Sequence, residues 1–343
     1  MAFSENPRSS YESPNGSPMS CLAIVTPAPP GSRRGNRVTA ERWAELLRQL
    51  GHAVAVLERY DDEAADAIVV LHAGRSAESV RLFRERHPDR PLLVALTGTD
   101  IYGDEFDPEI VGRSLEAADR IVVLQAKSAD DLPQALRAKV RVIYQSARPP
   151  AHRDAPRPGV FEVAVVGHLR SVKDPFRAAE AAWLLPPSST VRIVQMGEAL
   201  SSDMAERARK EAQSNPRYEW LGDLPHDEAL AVMTRCRLIA VTSVSEGGPS
   251  VIAEAIVAGT PVIATRVSGC VGMLGDDYPG LFAPGDTQAL AELLGRTERV
   301  ASFYNSLRAA CDRRRPIFQP ETERATWRAV LAELGIGHDP ART

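Results

Sequence analysis

The chain has 343 residues, 44% hydrophobic and 25% charged, with a formal net charge of −4. That length suits two domains of ordinary size, and that balance suits a globular fold. A slightly acidic chain argues against general nucleic-acid binding, and no apolar run approaches the roughly 20 residues that span a bilayer, so neither nucleic acid nor membrane is expected as a partner.

Residues 1–20, rich in Ser, Pro, Asn and Glu, lack the apolar core of a signal peptide. A disordered leader on a cytoplasmic protein is expected. Strand-like apolar runs follow at Leu22–Thr26, Ala53–Leu57, Ala67–Leu71, Pro91–Leu96, Arg120–Leu124 and Val140–Tyr144. Amphipathic stretches, such as Val38–Leu50 and Ser76–His87, lie between them. Near-continuous apolar strands separated by helices indicate a parallel sheet covered on both faces. The segment 146–159 then places four prolines and a glycine in fourteen residues, which neither a helix nor a central strand tolerates. It reads as an interdomain linker. Alternation restarts at Glu162–Val166, Val191–Gln195, Tyr218–Leu221, Leu238–Val241 and Pro261–Ala264, and helical patterns at Arg299–Arg314 and Pro320–Leu334 close the chain. The expected fold is α/β: two doubly wound Rossmann-like domains, 21–150 and 151–317, whose strands' carboxyl ends face a ligand cleft.

Cys21, Cys236, Cys270 and Cys311 stand far apart without a Cys-x-x-Cys pair, so neither a disulfide framework nor a zinc site is expected. Cys21, opening a strand, and Cys236, preceding one, read as buried small residues. No cluster of His and Asp has metal-ligand spacing.

Several loops at strand ends carry groups suited to anions. Pro27-Ala-Pro-Pro-Gly31-Ser-Arg33-Arg34-Gly35-Asn36-Arg37 occupies the turn between the first strand and the first helix. It is not Gly-x-Gly-x-x-Gly, so dinucleotide binding is not indicated. Its three arginines suit an anionic ligand through bidentate bonds, or they form an ordinary basic turn; Arg37, at the helix start, is the stronger candidate. The third strand ends in His72-Ala-Gly-Arg75-Ser76 and the fourth in Thr97-Gly-Thr99-Asp100. Thr97 and Thr99 can donate to an acceptor anion and Asp100 can orient a water or a cation. His72 serves either that site or the structure.

In the second half, Gly167-His168-Leu-Arg170-Ser-Val-Lys173 forms a basic turn after the first strand. Further on, Ser243-Val-Ser-Glu246-Gly247-Gly248-Pro249-Ser250 leads from a buried strand into a helix that Gly259-Thr-Pro261 stops. Pro249 suits the first helical turn, and the glycines let a ligand approach free backbone N–H groups, which makes a phosphate site. Glu246 on the loop and Glu254, eight positions on, bracket it. Amides for phosphates and carboxylates for hydroxyls suit a nucleotide diphosphate sugar; an ordinary strand–turn–helix with solvated acids has the same pattern.

Glu246-Gly-Gly, Glu254-Ala and Ala258-Gly-Thr-Pro-Val-Ile-Ala-Thr265 resemble the Glu-x7-Glu signature of GT-B glycosyltransferases, of the large, mostly retaining group. Ser268-Gly269 and Gly280-Leu-Phe-Ala-Pro-Gly285-Asp286 continue the likeness. The resemblance implies that Glu246 contacts the donor sugar and Glu254 the ribose, with Gly167, Gly247, Gly248, Pro249 and Ser250 lining the donor. The family's diphosphate cations match Lys173, whereas its arginine position holds His168. A histidine of ordinary pKa is only partly charged at neutral pH, so Arg170 and Lys173 receive the leaving-group role and His168 a donor contact. The resemblance further implies that the tail, about 318–343, joins the first domain. The chain has no Asp-x-Asp triplet, so metal independence and no cofactor are expected, the UDP-sugar being a substrate.

Val25-Thr-Pro-Ala-Pro-Pro-Gly-Ser-Arg-Arg-Gly-Asn-Arg-Val-Thr-Ala40, Leu71-His-Ala-Gly-Arg-Ser76, Ala95-Leu-Thr-Gly-Thr-Asp-Ile-Tyr102, Val142-Ile-Tyr-Gln-Ser-Ala147 and Val166-Gly-His-Leu-Arg-Ser-Val-Lys-Asp-Pro175 are similar to the selenosugar synthases of selenoneine biosynthesis. The likeness covers about residues 20–320. It implies coupling of UDP-N-acetylglucosamine or UDP-glucose with selenophosphate, forming a C–Se bond, and a functional link to the downstream selenoneine-forming enzyme. Selenophosphate is already a strong nucleophile, so the requirement is relief of repulsion between two anions. Arg33, Gly35, Asn36, Arg37, His72, Thr97 and Thr99 would serve the acceptor. Arg170, Lys173 and Glu246 would act on the donor, and Asp100 or His72 would position water for loss of phosphate from selenium. A GT-B transferase using a hydroxyl or amine acceptor and a non-catalytic nucleotide-sugar sensor are the alternatives.

Overall fold

A computed structural model describes residues 20–32, 35–103 and 107–337. Most of the expected leader, together with Arg33 and Arg34, lies outside them. The chain divides into two compact units, one of residues 1–123, 132–143 and 324–343, the other of 124–131 and 144–323. The short segment 124–131, expected with the first domain, therefore belongs to the second unit. No helix among the described residues is long and apolar enough to cross a membrane.

The first unit holds β1 (Cys21–Val25), β2 (Ala53–Leu57), β3 (Ala67–Leu71), β4 (Leu92–Ala95), β5 (Arg120–Val123) and β6 (Val140–Val142). All pair in parallel in the order β2-β1-β3-β4-β5-β6. Every residue of β3 and β4 is buried, as strands covered on both faces must be. The strand order reverses between β1 and β3, so the loops after those two strands flank a switch point of the kind where open α/β sheets bind ligands. The helix Pro320–Glu333 supplies the unit with Trp327, which is wholly buried and meets Trp43 of the helix Gly35–Gln49 edge to face at 5.0 Å. Such a contact adds to the area that two large rings bury. Cys21 is exposed, against expectation, because it opens β1 at the amino edge of the sheet.

The second unit holds β7 (Phe161–Val166), β8 (Val191–Met196), β9 (Tyr218–Trp220), β10 (Leu238–Val241), β11 (Val262–Thr265) and β12 (Leu281–Phe282). These too are all parallel, in the order β9-β8-β7-β10-β11-β12. The first strand of the unit thus lies against the fourth, the dinucleotide-fold order with its switch point between β7 and β10. Two-residue β12 carries too little apolar pattern to be read as a strand. The proline-rich segment 146–159 has no helix or strand.

Candidate functional site

Two loops leave the switch point of the second unit, and three contacts stitch them together. Thr242, just after β10, donates its hydroxyl to the carbonyls of Lys173 (3.1 Å) and Asp174 (2.9 Å). The Val244 amide donates to the Val172 carbonyl at 2.9 Å. Lys173 Nζ then reaches Glu246 Oε1 at 2.6 Å, with the Ser243 hydroxyl donating to the same oxygen at 2.5 Å. The Glu246 side chain is only 10% exposed and that of Lys173 25%. A charge-assisted bond in such partly desolvated surroundings is short and directional.

The surrounding chain has little freedom to place that pair elsewhere. A Cβ on Gly269 would run into the Glu246 carbonyl, so the start of the helix Ser268–Leu274 fits against the loop only because this residue is glycine. Thr265, at the end of β11, donates to the Ser243 carbonyl at 2.6 Å. Gly167 ends β7 at φ +148°, and Gly197 lies against its carbonyl with φ +137° and no room for a Cβ. Thr242 and Gly197 do not figure in the sequence motifs, and Ser243 and Thr265 figure there without a role; the available signal was small hydroxyl residues and glycine at the carboxyl ends of buried strands.

The helix Ser250–Ala258 follows this turn, and Gly259 in the left-handed region ends it. Pro249 precedes the helix as its N-cap and is not inside the first turn as expected. Glu254 is half-buried within the helix, while Arg170 is exposed on its loop. His168 Nδ1 accepts from the Glu198 amide at 3.3 Å, which ties this ring to the loop after β8. Lys173 ends a short 3-10 turn, beyond which Asp174 takes φ +42° and pairs with Arg177 at 2.7 Å. Lys173 and Glu246 line a cavity of about 10 Å³ together with Gln195, Thr242 and Ser243. Gln195 is wholly buried, and neither its Oε1 nor its Nε2 has a hydrogen-bond partner among the described residues. An unsatisfied amide atom of this kind costs about 1–3 kcal/mol.

In the first unit, the expected acceptor residues stand at the carboxyl end of the sheet and at the start of the helix Gly35–Gln49. Arg37 is 8% exposed; its Nε donates to Glu41 at 2.6 Å, and its buried Nη1 has no partner among the described residues. Gly35 is exposed and Asn36 half-buried on the same first turn. Thr97 Oγ1, after β4, is buried without a partner among the described residues, as is Thr26 Oγ1 after β1, a residue not picked out from the sequence. His72 is wholly buried at φ +71°, and its Nδ1 accepts from the Arg75 amide at 3.2 Å. The ring proton therefore sits on Nε2, which lies 3.1 Å from Thr99 Oγ1 and donates to it. That leaves the Thr99 hydroxyl its own proton to offer a ligand.

Asp100 is tied to the backbone of these loops. Its Oδ1 accepts from the Thr97 and Gly98 amides at 2.9 and 3.0 Å, and its Oδ2 accepts from the Ala73 amide at 3.0 Å. A buried carboxylate with three backbone donors organises the β3 and β4 loops. Cys236, Cys270 and Cys311 are buried, and burial pushes each thiol above its usual range.

A larger cavity, of about 780 Å³, lies at the opposite, amino end of the first sheet. Its cations are already satisfied: Arg84 by Asp119, Arg120 by Glu333, and Lys139 by the carbonyls of Glu116 and Ala118. The switch-point loops carry the better-formed site.

Residues 151–310, all within the second unit, match the family of glycosyl transferases group 1. Among curated proteins the chain is 30% identical over 220 residues to a 2-deoxystreptamine N-acetyl-D-glucosaminyltransferase of Streptomyces fradiae, covering 57% of this chain and 51% of that one. It is 28% identical over 291 residues to a D-inositol 3-phosphate glycosyltransferase of Mycolicibacterium smegmatis, covering 79% and 59% respectively. The chain thus spans about half to three-fifths of the length of these relatives. Among solved structures, Anabaena Alr3699/HepE in complex with UDP and glucose superposes with a TM-score of 0.72 at 17% identity, covering 92% of this chain and 100% of that one. The sucrose-phosphate synthase of Thermosynechococcus elongatus gives 0.75 at 16% identity, covering 92% and 99%. The fold is of the GT-B type, with two Rossmann-like units, and the second unit carries the glycosyl transferases group 1 match.

Proposed function

We propose that the chain is a glycosyltransferase taking UDP-N-acetylglucosamine or UDP-glucose as donor and selenophosphate as acceptor, and that its selenosugar supplies a selenoneine-forming enzyme. The observation that carries the donor half is the 2.6 Å contact between Lys173 and Glu246. It joins a basic loop and an acidic loop at the switch point of the unit that matches glycosyl transferases group 1. The relatives' names, which specify sugar transfer, support the same reaction class, and the neighbour bound to UDP and glucose supports the donor.

In this reading Lys173 and Arg170 neutralise the departing diphosphate, which requires no bound metal. Backbone groups of Gly167 and of the Gly247–Ser250 turn line the donor, Glu246 accepts from sugar hydroxyls and Glu254 from the ribose. Selenium attacks the anomeric carbon, the bond from that carbon to the diphosphate oxygen breaks, and UDP leaves with the electron pair. Water then cleaves the selenium–phosphorus bond to give selenol and phosphate. No strong base is required, since the nucleophile is already anionic. What supports the anionic acceptor is the buried Arg37 Nη1, which has no partner among the described residues, together with the Thr97 and Thr99 hydroxyls.

A hydroxyl acceptor is the second reading, favoured by relatives named for 2-deoxystreptamine and D-inositol 3-phosphate. Incubation with each UDP-sugar and selenophosphate, or with those two alcohols, followed by mass spectrometry separates the readings. A sugar with the selenium isotope pattern is the expected product. Glycosylated alcohol alone would select the second reading, and UDP-sugar binding without turnover would mark a sensor.

A further inference from the structure

Gln195 stands at an unusual place for an amide. It lies in β8, paired in register with Val165 of β7, and is wholly enclosed. Its neighbours in β8, Val194 and Met196, are apolar and equally buried. A linear apolar side chain would fill the same volume without carrying unpaired polar atoms into the interior. Yet both amide atoms lack a partner among the described residues, and the side chain lines the same cavity as Lys173 and Glu246.

That cavity measures about 10 Å³, close to the ~10–15 Å³ that one water centre requires. Its polar walls come from Gln195 on the sheet side and from Lys173, Thr242, Ser243 and Glu246 on the loop side. Buried polar atoms without a protein partner are generally met by ordered water, which needs two to four polar groups around it. We propose that this cavity holds one resident water, bonded to the Gln195 amide, and that Gln195 is thereby a positioning residue for the Lys173–Glu246 pair.

The arrangement has a physical purpose. Lys173 can turn its charge toward a ligand phosphate only by loosening its bond to Glu246, and a half-buried carboxylate that loses its cation is costly. A water anchored on an amide, which both donates and accepts, can turn an O–H toward Glu246 as Lys173 turns away. The carboxylate then keeps its place while the lysine changes partner. This functional role rests on the donor site proposed above; the water itself does not.

The test uses the full chain and Gln195→Met, which has the same length but no amide, with Gln195→Leu as a second variant should Met fail to fold. A crystal structure of the ligand-free wild type is expected to show one water within hydrogen-bond distance of Gln195, absent in the variant. The variant should melt within a few degrees of the wild type, since the amide and the water it holds are removed together and an apolar chain fills their place. With UDP-glucose and selenophosphate its kcat should fall about tenfold, with the donor KM within about twofold. No ordered water at Gln195 overturns the proposal, as does a variant with wild-type kcat. A wild type that turns over no UDP-sugar sinks the proposed function instead, and the water is then decided by the density and the melting temperature.

Discussion

Lys173 Nζ and Glu246 Oε1 lie 2.6 Å apart although 73 positions separate them in the chain. In the proposed reading, the cation for a departing diphosphate and the carboxylate for a donor sugar thus form one ion pair. Lys173→Ala should lower UDP release from UDP-sugar and acceptor by on the order of a hundredfold or more, the loss typical of a stabiliser of developing charge. Steady-state kinetics checks this, and near-wild-type turnover would move the role to Arg170 or His168.

Glu254 sits half-buried, just over one turn into the helix that begins at Ser250. Glu254→Gln keeps the shape and removes the charged acceptor, so UDP affinity should weaken by roughly 1.5–3 kcal/mol. Calorimetric titration with UDP reads this directly. Unchanged affinity would remove the ribose from Glu254.

Arg37 carries the sharpest prediction about the acceptor. Arg37→Ala should raise the selenophosphate KM steeply while leaving UDP affinity largely intact, and Arg37→Lys should restore activity only in part, because a point charge cannot reproduce the guanidinium fork. Inorganic phosphate should compete with the acceptor in the wild type and compete less in the variant. A loss of UDP affinity with no change in acceptor KM would instead assign the loop to the donor.

Trp327 fixes the helix Pro320–Glu333 to the first unit through Trp43, both rings being wholly buried. Trp327→Ala should cost about 3–5 kcal/mol, as expected for deletion of a buried aromatic ring. Trp327→Phe should cost clearly less, because the buried indole N–H has no partner among the described residues. Denaturant titration of the two variants distinguishes them; equal losses would mean that the ring's area is not what holds the helix.

Much of the frame was legible in the residues themselves. β2, β3 and β10 fall at the expected bounds, because an apolar run closed by turn residues is a local signal. The two loops that meet at the second unit's switch point were readable as turns for the same reason: glycine, proline and charge at a strand end speak through local backbone freedom and polarity. That Asp100 holds three backbone N–H groups was not legible, because those donors come from two different loops.

By itself, then, the sequence determined all the strands but β12, where the turns carry groups suited to anions, and that the chain is a doubly wound α/β protein. Only the tertiary structure decided that β7 lies against β10, bringing Lys173 to Glu246 and closing Thr242, Ser243 and Gln195 around one small cavity. Strand order depends on which crossovers bury the most apolar surface across the whole unit, and no local pattern of residues encodes that sum.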